Sequence, residues 1–179
     1  RRFMMSTPTM IRILSIPVHD VTKAETLDLI AQFVTQGGAH QICTVNPEFI
    51  MTAQKDLDFK RILQQADLNL PDGIGVVWAA RRLGYALRER VAGSDLIYQL
   101  ADRAAKTGWK IFLLGAAEGV ADQAAIKLQT LYPGVKIVGA WAGSPRATDD
   151  AEAVQRIRGA DADIVLVAYG APKQDKWID

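Results

Sequence analysis

The sequence has few cysteine and histidine residues and no long apolar run. It has one cysteine, Cys43, so neither an internal disulfide nor a cysteine-based metal site can form. The only histidines, His19 and His40, lie in different segments without ligand spacing. No apolar run approaches the roughly 18 residues of a transmembrane helix, and we expect no signal peptide. A reducing compartment is therefore the expected location.

An excess of charge of one sign is also missing. The 179 residues carry a net charge of only +1, which argues against a nucleic acid as the partner. Apolar residues make up 49% and charged residues 23% of the chain, as in ordinary globular proteins, and the length fits one domain. We expect this domain at 11–179, preceded by a disordered or cloning-derived stretch at 1–10. The last residues, 173–179, are interpreted as the start of an unfinished helix.

Short β-type runs alternate with helical patterns along the chain. A capping-box pattern at 22–25 precedes apolar residues with helical spacing, which predicts a helix ending near Thr35. Strands are predicted at 11–16, 41–45, 67–70, 110–114, 135–140 and 164–168, with helices between the later ones. Continuously apolar strands separated by helices predict an α/β fold: a single Rossmann-like domain with a mostly parallel sheet and helices on both faces.

Polar or glycine residues follow four of the predicted strands. Ligands of α/β sheets bind beyond the carboxyl ends of the strands, and parallel strands would bring these four sets to one edge. The sets are Thr44 with Asn46, the Pro71-Asp72-Gly73 turn, the Gly115-Ala116 turn, and the segment from Gly170 to Gln174. At Gly115 a tight turn and a phosphate site formed by a helix N-terminus fit equally well. The turn lacks the GxGxxG pattern of NAD-binding proteins.

Each candidate also has a purely structural interpretation. Asp72 in a Pro-Asp-Gly turn can cap backbone amides, and Asn46 before Pro47 can be a helix N-cap. Arg90 fits a surface charge, and Lys173 and Gln174 fit a solvated first turn. Trp141 and Tyr169 fit core positions as well as stacking on a base, and Cys43 fits a small buried apolar residue. The segment Asp161-Ala-Asp163 resembles a metal-binding DxD motif. Because it precedes a strand, it is interpreted as a solvated turn.

Taken together, these segments resemble the WecG/TagA/CpsF family of bacterial glycosyltransferases. The motifs that carry the resemblance are Thr44-Val-Asn46-Pro-Glu48, Asn69-Leu-Pro-Asp72-Gly73, Glu89-Arg90-Val-Ala-Gly93, Leu114-Gly115-Ala116, Tyr132-Pro-Gly-Val-Lys-Ile-Val-Gly139 and Gly170-Ala-Pro-Lys-Gln174-Asp-Lys-Trp177. They occur in the order typical of the family from about Ile11 onward. The combination of the Pro-Asp-Gly and Gly-Ala-Pro-Lys-Gln blocks is specific.

The resemblance implies an inverting transfer of an N-acetylmannosamine-type sugar from a UDP donor to a polyprenyl-diphosphate-linked sugar. Such products enter teichoic acid, other cell-wall polymers or exopolysaccharide. By the resemblance Asp72 is the catalytic base, and Thr44, Asn46, Arg90 and Gln174 line the substrate pocket. For the diphosphate of the leaving UDP our candidates are Arg90 and the Gly115-Ala116 turn. Gly139, Trp141 and Tyr169 are candidates for contacting the uridine, and Gly170 and Lys173 complete the predicted substrate-binding set. No cofactor or metal is expected.

Further expectations concern partners and location. Members of the family continue beyond the Gly-Ala-Pro-Lys-Gln helix, so we expect a further C-terminal segment to hold the protein at the inner face of the plasma membrane, on the cytoplasmic side. Apolar surface left uncovered without that segment would favour a homo-oligomer. Two alternatives stay open: a non-catalytic nucleotide-binding α/β module, and an NAD-dependent oxidoreductase, against which the missing GxGxxG counts.

Overall fold

A computed structural model describes residues 7–179 of the chain. They form two compact units, one built from the described residues up to Leu96 together with Ile178–Asp179, the other from Ile97–Trp177. Strands alternate with helices and all but the first pair of strands are parallel, so the predicted α/β, Rossmann-like class is confirmed. Of the stretch at 1–10, residues 1–6 lie outside the described residues, and Met10 is the first residue of a strand.

The first unit contains a β-hairpin and a parallel strand pair. Its elements are β1 (Met10–Ile13), β2 (Ile16–His19), α1 (Lys23–Gln36), β3 (Ile42–Val45), α2 (Pro47–Ala53), α3 (Leu57–Gln65), β4 (Leu68–Pro71), α4 (Ile74–Arg82) and the start of α5 (Gly93–Thr107). β1 pairs antiparallel with β2, and β3 pairs parallel with β4. The capping box predicted at α1 is confirmed, since Thr22 and Glu25 exchange both of its hydrogen bonds.

The prediction of one strand over 11–16 is wrong. Leu14 and Ser15 have positive φ angles of 47° and 71° and form a two-residue turn between β1 and β2. Such turns normally carry Asn-Gly or a similar pair, because both central residues need φ above zero. This turn contains neither asparagine nor glycine, so the local sequence does not predict it.

Apolar side chains of the hairpin, the parallel pair and three helices form one core in the first unit. Ile16, Val18, Val45 and Phe59 are fully buried there. Cys43 is also buried, which confirms its interpretation as a small apolar core residue. Asn69 ties β4 to β2: its Nδ2 donates to the carbonyl of Pro17, and its backbone amide donates to Nδ1 of His19 at 2.9 Å.

The second unit has a three-stranded parallel sheet in the order β6-β5-β7. Its elements after α5 are β5 (Lys110–Gly115), α6 (Val120–Leu131), β6 (Lys136–Trp141), α7 (Ala147–Gly159), β7 (Ile164–Ala168) and α8 (Lys173–Ile178). β5 is central and buried from Ile111 onward, as its continuous apolar sequence predicts. Within residues 7–179 no helix combines the length and apolar character that crossing a bilayer requires.

Candidate functional site

Asp72 lies at the carboxyl end of the parallel pair β3-β4, directly after β4. Its backbone amide donates to the carbonyl of Val45 at the end of β3, 2.9 Å away. Its half-buried side chain accepts a hydrogen bond through Oδ2 from the backbone amide of Gly93, the first residue of α5, at 3.2 Å. The structural interpretation of Asp72 as a cap is therefore correct for this oxygen. Among the described residues no group donates a hydrogen bond to Oδ1, which leaves that oxygen for another proton donor.

Thr44 and Asn46 lie at the same strand end as Asp72. A Cβ placed on Gly93 would lie 2.9 Å from Cγ2 of Thr44, so β3 and the start of α5 approach closely here. Asn46 caps α2, because its Oδ1 accepts from the amide of Phe49 at 2.9 Å. The cap uses only Oδ1, and the Nδ2 donor of Asn46 is not part of it. The first unit thus brings together Thr44, Asn46 and Asp72, as parallel pairing of the two strands requires.

The second half of the loop between α4 and α5 begins with Arg88, which is held by acidic residues. The guanidinium of Arg88 donates to both carboxylate oxygens of Glu25, at 2.7 and 2.8 Å, and to Asp20. These hydrogen bonds, with Glu25 first, raise the pKa of Arg88, and the same contact lowers the pKa of Glu25. The next residue, Glu89, accepts from the backbone amide of Lys23 at 3.1 Å. The sequence showed no role for Arg88, since its partners lie more than 60 residues away along the chain.

The end of this loop is fixed at the proposed base. The amide of Val91 donates to the carbonyl of Pro71 at 2.9 Å, and that of Gly93 donates to Asp72. Arg90 lies between these two anchored stretches. Its side chain is half exposed, and its Nη2 is 3.9 Å from Asp95, a weak ion pair. The guanidinium is therefore accessible to an anionic ligand, while its backbone is held on both sides.

The predicted phosphate turn lies at the carboxyl end of β5 in the second unit. Gly115 has φ 103°, and a Cβ there would lie 2.7 Å from the backbone of Ala168 in β7. Ala116 also has a positive φ of 64°, and its amide donates to the carbonyl of Ala168 at 2.8 Å. The helix that follows, α6, begins only at Val120 and has no side-chain cap. The glycine thus satisfies a packing need, and the uncapped helix start is the feature that suits an anion.

Three further candidates of the second unit have defined packing. Gly139 lies in β6 against Phe112, where a Cβ would approach the ring to 2.3 Å. The guanidinium of Arg156 lies over the ring of Trp141, 4.6 Å from its centroid. Tyr169 follows β7 and meets Trp177 edge to face. The geometry gives Gly139 a packing role, and it leaves the predicted uridine contacts of Trp141 and Tyr169 as predictions.

The hydroxyl of Tyr169 is a buried polar group without a hydrogen-bond partner in the described part of the chain. Burial, reinforced by the charges of Asp149 and Asp150, raises the pKa of Tyr169. Asp150 is itself engaged, since it accepts from Nε1 of Trp177 at 2.9 Å. Such an orphan hydroxyl is uncommon in folded proteins.

The segment Gly170–Gln174 forms a closed turn at the start of α8. Oε1 of Gln174 accepts from the amide of Gly170 at 3.1 Å, and the amide of Gln174 donates to the carbonyl of Gly170. The peptide bond between Ala171 and Pro172 is cis. Lys173 is exposed at the first position of the helix. The second unit thus places Gly115, Ala116 and this segment at the carboxyl ends of its neighbouring strands β5 and β7.

The Asp161-Ala-Asp163 motif lies at the opposite, amino end of β7, as predicted. Asp161 is 88% exposed and pairs with Nζ of Lys110, which lowers the pKa of Asp161. Asp163 accepts from the backbone amide of Lys110 at 2.8 Å. The interpretation of a solvated turn is confirmed. Across residues 7–179 no group of three or more His, Cys, Asp or Glu side chains is placed to hold a metal ion.

The two units define an α/β protein whose polar candidate residues collect at the carboxyl ends of parallel strands. Comparison with protein families matches residues 11–179 to the glycosyl transferase WecG/TagA/CpsF family, and the chain belongs to this family. The resemblance seen in the motifs is thereby confirmed.

Relatives of known name agree with this assignment. A protein of Bacillus subtilis named N-acetylglucosaminyldiphosphoundecaprenol N-acetyl-beta-D-mannosaminyltransferase is 39% identical over 137 residues, which are 76% of this chain and 53% of the relative. Proteins of the same name from Bacillus spizizenii and Staphylococcus aureus are 34% and 30% identical, over 82% and 97% of this chain and 56% and 68% of theirs. The chain spans about half the length of the two Bacillus relatives it matches.

Proposed function

We propose that the chain belongs to an inverting glycosyltransferase that moves an N-acetylmannosamine-type sugar from a UDP donor to a lipid-linked N-acetylglucosamine diphosphate. The names of the relatives support the acceptor and the transferred sugar. The UDP donor rests on the family resemblance and on the uncapped start of α6. The proposed location is the inner face of the plasma membrane, and the proposed pathways are teichoic acid and related surface polymers. Self-association into a homo-oligomer is a further proposal.

The observation that carries the proposal is the environment of Asp72. One carboxylate oxygen is held by the amide of Gly93, which fixes the orientation of the side chain. The other carboxylate oxygen accepts no hydrogen bond from the described residues. It can take the proton of the acceptor hydroxyl while the oxygen of that hydroxyl attacks the donor sugar. A positioned base of this kind typically contributes roughly 10²–10⁴-fold to the rate.

The leaving diphosphate gains negative charge during the transfer and needs a positive partner. We propose that Arg90 supplies a guanidinium fork and that the backbone amides following Gly115, with the start of α6, supply further donors. Thr44, Asn46 and Gln174 are proposed to bind sugar hydroxyls or the acetamido group. Gly139, Trp141, Tyr169, Gly170 and Lys173 are proposed around the nucleoside.

Asp72→Asn tests the base directly, because asparagine keeps an oxygen that can accept from Gly93 but cannot take a proton. We expect the variant to unfold at the wild-type temperature, to bind UDP as the wild type does, and to lose about 10²–10⁴-fold in transfer rate. Product analysis with UDP-sugars and a lipid-diphosphate acceptor measures the loss. Near-normal turnover would refute the base assignment.

A non-catalytic nucleotide-binding module is the second candidate, since the hydrogen bond to Gly93 gives Asp72 a structural role. This alternative predicts that UDP raises the melting temperature of the wild type while no donor gives any product. An NAD-dependent activity would instead show stabilisation by NAD and none by UDP. A thermal-shift panel with these nucleotides, run beside the product analysis, separates the three functions.

A further inference from the structure

The outer face of α4 carries large apolar side chains in solvent. Ile74 is 73% exposed and Trp78 is 60% exposed, although Val76 and Ala80 on the other face are buried. Residues four apart lie on one side of a helix, so Ile74, Trp78 and Arg82 form a single stripe. Leu83 and Tyr85, which directly follow the helix, are also exposed. We call these five residues with Arg81 the α4 face.

Packing holds this face outward. A Cβ on Gly75 would lie 2.7 Å from Cγ of Pro47, so α4 sits tightly against the start of α2. Its other contacts bury Val76 and Ala80 in the core of the first unit. Turning Ile74 and Trp78 inward would expose those two residues and break this contact. The exposure of the α4 face is therefore set by the fold of the unit.

The charge of the α4 face is positive. No acidic residue occurs between Gly73 and Arg88, whereas Arg81 and Arg82 stand at the end of the helix. The guanidinium of Arg82 lies over the ring of Trp78, 5.2 Å from its centroid. Tryptophan, tyrosine and arginine beside aliphatic side chains are the composition of helices that lie in the interface of a bilayer. Positive charge on such a face is complementary to anionic lipid headgroups.

The face begins next to the proposed base. Ile74 is the first residue of α4 and lies two positions after Asp72. An acceptor that is tied to a lipid must bring its sugar to the base while its hydrocarbon chain stays in the membrane. We propose that the α4 face docks on an anionic bilayer surface and thereby brings Asp72 to the membrane. The role of this docking in sugar transfer rests on the proposed function. The docking itself rests only on the exposure and composition of the α4 face.

From the sequence we expected membrane contact through a further C-terminal segment. The α4 face gives the described chain a contact of its own. Its aliphatic and aromatic side chains provide insertion into the headgroup layer, and its two arginines provide attraction that salt screens. Both contributions are open to separate test.

The test is cosedimentation of the 179-residue chain with vesicles of phosphatidylglycerol and phosphatidylcholine in equal parts, and with phosphatidylcholine alone. We expect binding to the anionic vesicles that weakens as salt is raised. The double variant Ile74→Ser with Trp78→Ser should bind at least about tenfold more weakly. Arg81→Gln with Arg82→Gln should lose roughly fivefold for each arginine. All substituted side chains are exposed, and thermal unfolding checks that the variants fold.

Matched controls remove equally exposed groups elsewhere. Leu57→Ser, at a leucine that is 77% exposed, and Lys55→Gln with Lys136→Gln should leave vesicle binding within about twofold of the wild type. Absence of wild-type binding, or equal losses in the controls, would overturn the proposal. The proposal would also be overturned if sedimentation velocity showed a wild-type dimer that the serine variant does not form, while that variant bound vesicles as well as the wild type does. If the chain binds vesicles but transfers no sugar, only the proposed function is refuted. If it transfers sugar but does not bind vesicles, only the docking of the α4 face is refuted.

Discussion

Gly115→Ala is the substitution whose effect the structure predicts most sharply. Gly115 pairs with Ala168 across β5 and β7 and has φ 103°, a region that side chains disfavour. A new Cβ would lie 2.7 Å from the carbonyl carbon and 2.8 Å from the oxygen of Ala168. These neighbours are backbone atoms of an adjacent strand, so they cannot rotate away as a side chain would. The strands must separate locally to admit the methyl group.

The expected loss in the free energy of unfolding has two parts. An alanine with left-handed backbone costs about 1–2 kcal/mol, and overpacking against atoms that cannot yield costs about 1–3 kcal/mol, so the total is about 2–5 kcal/mol. Gly119→Ala is the matched control in the same loop, because its φ is 80° and a Cβ there would meet nothing within 4 Å. The control should lose only the first part. Both variants gain the same small benefit from a stiffer unfolded chain, which cancels in the comparison.

Urea unfolding followed by tryptophan fluorescence measures both variants, with the midpoint and the slope compared to the wild type. Hydrogen exchange at the amide of Ala116 gives a local measure, because this amide donates to Ala168 at the affected position. Exchange there should accelerate much more in Gly115→Ala than in Gly119→Ala. Equal destabilisation of the two variants would refute the reasoning that Gly115 is required by the close approach of β7.

Two further predictions concern the first unit. Burial lowers the pKa of His19, whose Nδ1 accepts from the amide of Asn69. Below about pH 6.5 the unfolded chain therefore binds a proton at His19 that the folded chain does not. The free energy of unfolding should then fall as pH drops, by at most about 1.4 kcal/mol per pH unit. Urea midpoints measured against pH test this, and a His19→Gln variant that kept the same pH slope would contradict it. Arg88→Ala should accelerate hydrogen exchange at the amides of Val91 and Gly93, whereas Arg61→Ala, which removes another arginine bound to two carboxylates, should not. Similar exchange in both arginine variants would show that Arg88 does not hold the loop.

The predictions from sequence succeeded where a signal was local and periodic. The strand at 164–168 was predicted with the bounds that β7 has, and the capping box of α1 is present as predicted. The position of Asp161-Ala-Asp163 before a strand correctly placed it away from the carboxyl edge. The hairpin turn at Leu14 and Ser15 was missed, because its positive φ angles are imposed by strand pairing and not by the residues themselves.

The sequence by itself determined the α/β class, the family and the placement of Thr44, Asn46 and Asp72 at one strand end. Hydrophobic periodicity and caps depend on residues near one another in the chain, apolar strands separated by helices favour parallel pairing, and the motifs preserve their order. Only the tertiary structure decided that Asp72 caps α5, that Arg88 anchors the loop carrying Arg90, and that the outer face of α4 stays in solvent. These features depend on atoms brought together from tens of residues apart, and such contacts leave no pattern in the local sequence.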